Sequence, residues 1–315
     1  MKHISRFVLT LVSLALVAGA FAQDDTPTIG LSLSTLNNPF FVAVNDGAEQ
    51  EADLYGYDLV VTDAQNDLNK QTSDVQDLIT RGVDVLLINP VDSAGIVPAV
   101  RQANEAGIPV FAIDRGIDVS GKAQVVAQIA SDNEFGGRLQ ARYLVQQIGD
   151  SGNVIYLAGI PGTSAARDRE AGFTDELSQI APDITIVANQ PAGFDRGEGL
   201  TVTQNILQTN SDVDAVVAAN DSMALGAVQA LEQANVTREG GESVVVIGFD
   251  AIDSALDAIS EGRMAATVAQ QPALMGQLGV SAARNLVLNP LMYDTLDNGQ
   301  FLPVAVQIIS AEDVE

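Results

Sequence analysis

The stretch TIGLSLSTLNNPFF, residues 28–41, contains the two patterns on which the fold depends. Its first half is a short apolar run typical of a buried strand, and it predicts a strand over Thr28–Ser34. Its second half turns at Asn38, which is a favourable N-cap residue, and Pro39 suits the first position of a helix. A helix is therefore predicted over Phe41–Leu54, and strand, turn and helix in this order predict a βα unit.

The same βα pattern recurs almost to the end of the chain. The predicted strands are Thr28–Ser34, Asp58–Thr62, Val83–Ile88, Pro109–Ile113, Val125–Ala130, Asn153–Leu157, Ile184–Ala188, Ala215–Ala219, Val244–Gly248 and Ala265–Ala269. The clearest helix patterns lie at Phe41–Leu54, Leu68–Thr80, Ser93–Ala106, Gly136–Ile148 and Ser222–Gln233. Alternation of this kind predicts an α/β fold with doubly wound parallel sheets and right-handed crossovers. The polar segment Asn289–Gly299 is predicted to be a surface loop.

The first 22 residues have the pattern of a secretory signal peptide. Lys2 and Arg6 precede an apolar run from Phe7 to Ala22, which ends on the small-x-small cleavage pattern of Ala20-Phe21-Ala22. A run of 16 residues is shorter than the roughly 20 needed to span a bilayer. The mature chain is therefore predicted to be an exported, soluble, periplasmic protein that begins at residue 23.

The composition excludes several classes of function. Removing Met1–Ala22 takes away two basic residues and no acidic ones, so the formal charge falls from −26 to −28. This charge repels nucleic acid and anionic membrane surfaces. The chain has no Cys, and its single His, His3, leaves with the signal peptide. Zinc sites, Ser-His-Asp triads and Cys nucleophiles are therefore excluded, whereas metal or acid/base chemistry based on carboxylates alone stays open. No metal site and no cofactor are predicted.

Polar and aromatic side chains follow many of the predicted strands. Ligand-binding groups of open α/β sheets lie at the carboxyl ends of their strands, so these side chains are expected to converge. Each also has an ordinary structural role, because Asp and Asn at strand ends cap helices and a single Phe usually belongs to a core. The candidate ligand-binding residues are Ser34, Asn38, Phe40, Phe41, Asp114, Arg115, Arg169, Phe194, Asn220, Asp250 and Gln270.

These residue types suit a small polyhydroxylated ligand. A hydroxyl donates one hydrogen bond and accepts two, so a carboxylate and a guanidinium together satisfy it. An arginine fork can bond two neighbouring hydroxyls, and Phe rings offer flat apolar faces to the C–H faces of a sugar ring. The glycine-rich turn Gly159–Ser164 lacks the Gly-Lys-Ser/Thr ending of a nucleotide-binding P-loop.

At these residues the chain resembles the periplasmic sugar-binding proteins of ABC importers, most closely the members that bind D-ribose. The resemblance extends from about Thr28 to Ile309. Its most specific stretches are Ser34–Phe41, Leu87–Pro90, Ile113–Arg115, Ile129–Asn133, Gly162–Arg167, Asn220-Asp221 with Met223–Gly226, and Gly248–Asp250.

The resemblance implies how the chain is divided and what the candidate residues do. It implies two similar lobes joined by a three-segment hinge: an N-terminal lobe of residues 23–131 and 271–305, and a C-terminal lobe of residues 132–270 and 306–315. Phe40, Phe41 and Phe194 would sandwich a pyranose ring. Its hydroxyls would be bonded by six of the polar candidates, which are Asp114, Arg115, Arg169, Asn220, Asp250 and Gln270.

The implied function is a monomeric, non-enzymatic receptor. It would capture D-ribose by hinge closure and deliver it to an ABC permease in the inner membrane, with a chemoreceptor as a further partner. One alternative is a receptor for another monosaccharide, such as allose, galactose or xylose. A second is a sugar-active enzyme using Asp114 and Asp250, although neighbouring arginines are expected to keep both carboxyls ionised, which is poor for a general acid. No catalytic residue is predicted. A third is the sugar-responsive core of a transcriptional repressor, which the signal peptide and the acidic charge argue against.

Overall fold

The structure, a computed structural model, describes residues 26–238, 240–293 and 296–314. The predicted signal peptide, Met1–Ala22, lies outside these ranges. Within them the strands are β1 (Thr28–Leu33), β2 (Asp58–Asp63), β3 (Val85–Ile88), β4 (Val110–Ile113), β5 (Ala127–Ser131), β6 (Ser151–Ala158), β7 (Asp183–Pro191), β8 (Ala215–Ala218), β9 (Val245–Asp250), β10 (Ala266–Ala269), β11 (Gln300–Val304) and β12 (Gln307–Ser310). The α-helices are α1 (Pro39–Tyr55), α2 (Leu68–Arg81), α3 (Val97–Glu105), α4 (Asn133–Ile148), α5 (Ser164–Ile180), α6 (Arg196–Leu207), α7 (Asp221–Ala234), α8 (Asp253–Ser260) and α9 (Pro272–Leu288). None of the helices in these ranges has both the length and the apolar character needed to cross a bilayer.

The ten predicted strands are confirmed, with ends that differ by up to three residues. The helix predicted over Ser93–Ala106 starts later, at Val97, because Asp92 Oδ1 accepts the amides of Ala94 and Gly95 in a separate turn. Strands β11 and β12 were not predicted. The apolar run of β11 is interrupted by Pro303, a residue confined in sheets to edges and bulges, and both strands pair only at a sheet edge.

The strands form two six-stranded sheets with the same winding. The first sheet has the order β11-β5-β4-β3-β1-β2 and is parallel throughout. The second has the order β12-β10-β9-β8-β6-β7, in which only the edge strand β12 is antiparallel. In each sheet the first strand lies between the second and the third, which is the doubly wound arrangement. The predicted fold class of two doubly wound α/β lobes is confirmed.

The core of the first lobe lies on both faces of its sheet. Strand β3, with the sequence Val-Leu-Leu-Ile, is fully buried because successive side chains point to opposite faces and both faces are covered. Val85 and Leu87 belong to the cluster that packs under α1 and α9, whereas Leu86 and Ile88 belong to the cluster under α2 and α3. In the second lobe, the core surrounds β6, β8 and β9 in the same way.

The chain passes between the two sheets three times, after β5, after β10 and after β11. Hydrogen bonds tie these passages together. The Asp132 amide donates to the carbonyl of Val304, and Gln271 Nε2 donates to the carbonyl of Ala305 at 3.0 Å. The residue-level lobe boundaries given above stay a prediction.

The segment predicted as a surface loop, Asn289–Gly299, contains a short 3-10 turn at Pro290–Tyr293 and carries the exposed side chain of Leu291. Its far end is anchored to the first lobe, because Asn298 Oδ1 accepts the amide of Val125 at 2.8 Å. Residues 294 and 295 of this segment lie outside the described residues.

Helices α1 and α9 pack so closely that a side chain cannot fit at Gly276. A Cβ atom there would press into the backbone of Val44 and Ala48. We expect Gly276→Ala to lower the free energy of unfolding by about 1–3 kcal/mol, the usual cost of overpacking. Urea denaturation measures it, with Gly197→Ala at an exposed position of α6 as the matched control. Equal stability of the two variants would show that the α1–α9 contact is looser than the structure indicates.

Candidate functional site

The carboxyl ends of the strands of both sheets meet at a small cavity between the lobes. The cavity is lined by Asn38, Phe40, Phe41, Asp114, Arg115, Ala165, Arg169, Phe194, Asn220, Asp250 and Gln270. Ten of the eleven candidate residues are therefore brought together; Ser34 is not among the lining residues, and Ala165 was not predicted. The cavity volume is about 20 Å³, which is room for about one water molecule. The two lobes are thus closed on one another.

A larger groove of about 730 Å³ lies beside the cavity and also runs between the lobes. Its rim includes the exposed charged side chains of Asp118, Glu134 and Arg167. The small cavity is the better candidate for a ligand-binding site, because it is lined by buried charged side chains, and such groups are rarely buried without a partner.

Asp114 and Arg115 follow β4 and form the charged half of the site in the first lobe. Both are only 3% exposed. Asp114 Oδ2 accepts a hydrogen bond from Asn89 Nδ2 at 3.1 Å and lies 3.9 Å from Arg115 Nε. Arg115 Nη1 donates to the carbonyl of Pro90. These contacts fix both side chains while leaving part of each free to face the cavity.

Ser34 lies beneath this half of the site. Its amide donates to Asn89 Oδ1 at 3.2 Å, and Asn89 in turn holds Asp114. The Ser34 hydroxyl is buried and has no hydrogen-bond partner among the described residues. Ser34 therefore does not line the cavity. It contacts Asn89, which in turn bonds the lining residue Asp114.

Arg169 and Asp250 form the charged half in the second lobe. Arg169 Nε donates to Asn133 Oδ1 at 2.8 Å, and its Nη1 donates to the carbonyl of Ala219 at 2.7 Å. The same Nη1 lies 3.7 Å from Asp250 Oδ1, which accepts a hydrogen bond from Gln270 Nε2 at 2.6 Å. The guanidinium also rests on the ring of Phe249, 3.7 Å from its centroid.

Burial changes the acid–base behaviour of these groups. It raises the pKa of Asp114, an effect that Arg115, Arg169 and the Asn89 hydrogen bond oppose. It also raises the pKa of Asp250 well above its ordinary value, with Arg169 opposing. Burial lowers the pKa of Arg115 to about 10. The arginines do oppose the rise in the pKa of both carboxyls, as expected, but desolvation is the larger effect on each.

Aromatic rings form the apolar walls of the cavity. Phe40 and Phe41 meet edge to face, with 5.2 Å between their centroids. Phe194 of the second lobe lies 5.5 Å from the Arg115 guanidinium and 5.8 Å from that of Arg169. Phe194 therefore contacts the cations of both lobes, at a distance suited to cation–π attraction.

Two acceptors at the cavity are left without protein partners. In the described part of the chain, Asp114 Oδ1 and Gln270 Oε1 are buried and accept no hydrogen bond. A buried acceptor without a partner costs free energy, and native structures contain few of them. Both atoms are suited to accept hydrogen bonds from a ligand that enters the cavity.

Three of the lining residues have backbone conformations that L-residues rarely adopt. The φ angles are 63° at Asp114, 57° at Phe194 and 127° at Asp250. Such conformations cost about 1–3 kcal/mol each and concentrate at functional sites. The fold therefore holds these side chains in orientations that local preferences disfavour.

Asn38 and Asn220 combine two roles that the sequence left as alternatives. Asn38 Oδ1 caps α1 by accepting the amide of Phe40, and Asn220 Oδ1 caps α7 by accepting the amide of Met223. Each side chain nevertheless lines the cavity. The side-chain oxygen of each is therefore used for capping, and Asn220 Nδ2 donates to the carbonyl of Phe194 at 3.3 Å.

Three supporting residues were not predicted: Asn89, Asn133 and Phe249. Asn89 directly follows β3, so a complete reading of the polar residues at every strand end would have found it, whereas Asn133 is the first residue of α4, where an asparagine is ordinary. Phe249 lies in β9, and a single Phe in an apolar strand usually belongs to a core. It is fully buried, and the Arg169 guanidinium stacks on its ring.

The arrangement suits a small, neutral, polyhydroxylated molecule. It offers carboxylate acceptors, guanidinium donors, amides and aromatic faces around one enclosed space, which is the pattern of a small-molecule site. No cluster of His, Cys, Asp or Glu side chains within residues 26–238, 240–293 and 296–314 has the grouping of a metal site.

Comparison with known proteins identifies similar chains and folds. Residues 29–289 match the family model described as periplasmic binding protein domain. The chain is 47% identical over 277 residues to the ribose import binding protein of Haemophilus influenzae, which covers 88% of this chain and 90% of that protein. It is 46% identical to the ribose import binding protein of Escherichia coli, over 90% of this chain and 92% of that protein.

The fold is similar to that of a solved structure. The myo-inositol binding protein of Caulobacter, in a structure with bound myo-inositol, superposes with a TM-score of 0.83 at 33% sequence identity. The superposition covers 91% of this chain and 94% of that chain.

Proposed function

The chain belongs to the periplasmic binding protein domain family, whose members bind solutes, and on that basis we propose that it is the D-ribose receptor of an ABC importer. The protein is exported to the periplasm, where it acts as a soluble, non-enzymatic monomer. It binds one sugar between its lobes, closes, and delivers the sugar to a permease in the inner membrane. The closed form is also the form that a chemoreceptor would recognise.

One observation carries this proposal: two aspartates and two arginines are buried around one cavity in which acceptors remain unpaired. Sugar hydroxyls can donate to Asp114 Oδ1 and Gln270 Oε1 and can accept from the free N–H groups of the arginines. Charge-assisted hydrogen bonds of this kind are the strong ones. The residue assignments extend to Asn38, Asn220 and Asp250 as further hydroxyl partners, with the Phe rings against the sugar faces.

Hinge closure is supported by hydrogen bonds between the lobes. The Ser93 amide donates to the carbonyl of Gly162 at 3.1 Å, and the Gly116 amide donates to Ser164 Oγ at 2.7 Å. A cavity of about 20 Å³ is far smaller than the roughly 300 Å³ or more of typical ligand pockets. A sugar is larger than this cavity, so the lobes must separate to admit it and must lie further apart around it than they do here, which requires the hinge motion of the mechanism.

The direct test is isothermal titration of mature protein, residues 23–315, that has been unfolded and refolded to remove any retained sugar. D-ribose, allose, galactose, xylose and glucose are titrated in turn. We expect one-to-one ribose binding at about 10⁻⁶ M or tighter, with each other sugar at least about a hundredfold weaker. Tight binding of another sugar would overturn the ribose assignment, and absence of binding by the whole panel would overturn the assigned site. A new product in the ribose mixture would overturn the non-enzymatic role.

Arg169 is expected to contribute strongly to affinity, because its buried guanidinium can bond two neighbouring hydroxyls. We expect Arg169→Ala to weaken ribose binding at least tenfold, equivalent to about 1.4 kcal/mol. The matched control is Arg167→Ala, two residues earlier on α5, where the side chain is exposed and absent from the cavity. Titration of both folded variants measures the effect. Unchanged affinity of Arg169→Ala would remove Arg169 from the site.

Ribose affinity is expected to fall as the pH is lowered. The hydroxyls donate to ionised Asp114 and Asp250, and protonation of either carboxyl replaces an acceptor with a donor. Because burial raises both pKa values above the ordinary 3.8, the loss begins at a higher pH than for an exposed aspartate. Titrations from about pH 7.5 down to about pH 4.5 measure this dependence.

Asp250→Asn provides the control for the pH series. Its affinity should be lower throughout and should change less with pH, because one of the two titrating acceptors is gone. A wild-type affinity that stays constant over the series would contradict the assignment of the two carboxylates as hydroxyl acceptors.

A further inference from the structure

Asp221 is a carboxylate that the proposed function leaves without a role. It is the first residue of α7, directly after Asn220, and its side chain is completely buried. It is not among the residues that line the cavity. An aspartate at the start of a helix usually lies at the surface near the helix amides, whereas Asp221 turns into the interior of the second lobe.

The contacts of Asp221 join three neighbouring strands of the second sheet. Asp221 Oδ1 accepts the hydroxyl of Thr267, in β10, at 2.7 Å. Its Oδ2 accepts the amide of Ile252, in the loop after β9, at 3.0 Å. Thr267 Oγ1 in turn accepts the amide of Ala251 at 3.3 Å. Asp221 itself follows β8, so one carboxylate connects the end of β8, the loop after β9 and the interior of β10.

The same three strands carry three lining residues of the site at or just after their carboxyl ends. Asn220 precedes Asp221, Asp250 precedes Ala251, and Gln270 lies three residues after Thr267. Gln270 also donates to Asp250 at 2.6 Å. Asp221 therefore links the three segments that carry Asn220, Asp250 and Gln270.

The loop that Asp221 holds is conformationally strained. The φ angle is 127° at Asp250 and 60° at Ala251, and neither residue is glycine. Such conformations persist only where the surrounding structure imposes them. The amide within this strained pair, that of Ala251, donates to Thr267, and the amide that follows it, that of Ile252, donates to Asp221.

Gly248 of β9 packs directly against the Asp221 carboxylate. A Cβ atom at position 248 would collide with Asp221 Oδ1, so the strand can pass only without a side chain there. Burial raises the pKa of Asp221 to about 6, while the Thr267 hydroxyl and the neighbouring amides lower it. These donors therefore favour the ionised, doubly accepting form of Asp221.

From these contacts we propose that Asp221 and Thr267 are positioning residues that hold the strained Asp250–Ile252 loop so that the Asp250 carboxylate faces the sugar. The inference rests on the proposed function, since it assigns Asp250 to ligand binding. Asp221 does not touch the ligand; it acts through Asp250.

Two substitutions at Thr267 test the proposal. Thr267→Val removes the hydroxyl and keeps the shape, whereas Thr267→Ser keeps the hydroxyl. We expect Thr267→Val to weaken ribose binding about tenfold and Thr267→Ser to stay within about threefold of wild type. Asp221→Asn should resemble Thr267→Val. Equal affinities of the Val and Ser variants would overturn the role of the hydroxyl.

A double-mutant cycle separates positioning from a general loss of stability. In the Asp250→Ala background, Thr267→Val should change ribose affinity less than about twofold, because the side chain that it positions is gone. A full tenfold effect in that background would overturn the proposal. If Asp250→Ala alone leaves ribose affinity unchanged, the site assignment under the proposed function fails and the positioning role fails with it.

Hydrogen exchange provides a readout that needs no ligand. In ligand-free Asp221→Asn and Thr267→Val, the amides of Ala251 and Ile252 should exchange at least about tenfold faster than in wild type, while amides of β6 remain protected. Unchanged exchange would overturn the proposal even if ribose binds as expected. Faster exchange in a protein that does not bind ribose would support the positioning of Asp250 and reject only the ribose assignment.

Discussion

Two aspartates and two arginines are buried together between the lobes, and the rest of the structure is organised around that constraint. Each of the four is no more than 6% exposed. Burying a charge costs several kcal/mol unless partners compensate it. Each lobe supplies one carboxylate and one guanidinium, and the pairs are 3.9 Å and 3.7 Å apart. These distances exceed those of direct hydrogen bonds, so the groups retain capacity to bond hydroxyls.

The buried carboxylates and the groups that compensate their charge lie at equivalent positions in the two sheets, which have the same strand order. Asp114 follows the fourth strand of the first lobe, and Asp250 ends the fourth strand of the second. Both have positive φ angles, and both accept a hydrogen bond from a side-chain amide, Asn89 Nδ2 for one and Gln270 Nε2 for the other. The shared strand order brings these ends to one cleft, since ligands of such sheets bind where the winding reverses.

How far the site could be predicted depends on where its signals lie in the sequence. Asp114, Asn220 and Gln270 lie directly or almost directly after strands, so their polarity after an apolar run indicated them, and the family resemblance gave the lining residues their roles. Asn133 and Phe249 lacked such a signal, because an asparagine at a helix start and a phenylalanine in an apolar strand are ordinary. Their importance comes from Arg169, which bonds one and stacks on the other.

The sequence by itself determined the alternation of strands and helices, the caps at Asn38 and Asn220, and the residue types available to a ligand. These follow from local pattern and side-chain chemistry. Only the tertiary structure decided the edge strands β11 and β12, whose partners β5 and β10 are distant in sequence. It alone decided that burial, more than the nearby arginines, sets the pKa values of Asp114 and Asp250. Desolvation depends on what surrounds a group in three dimensions, and a linear pattern does not contain that information.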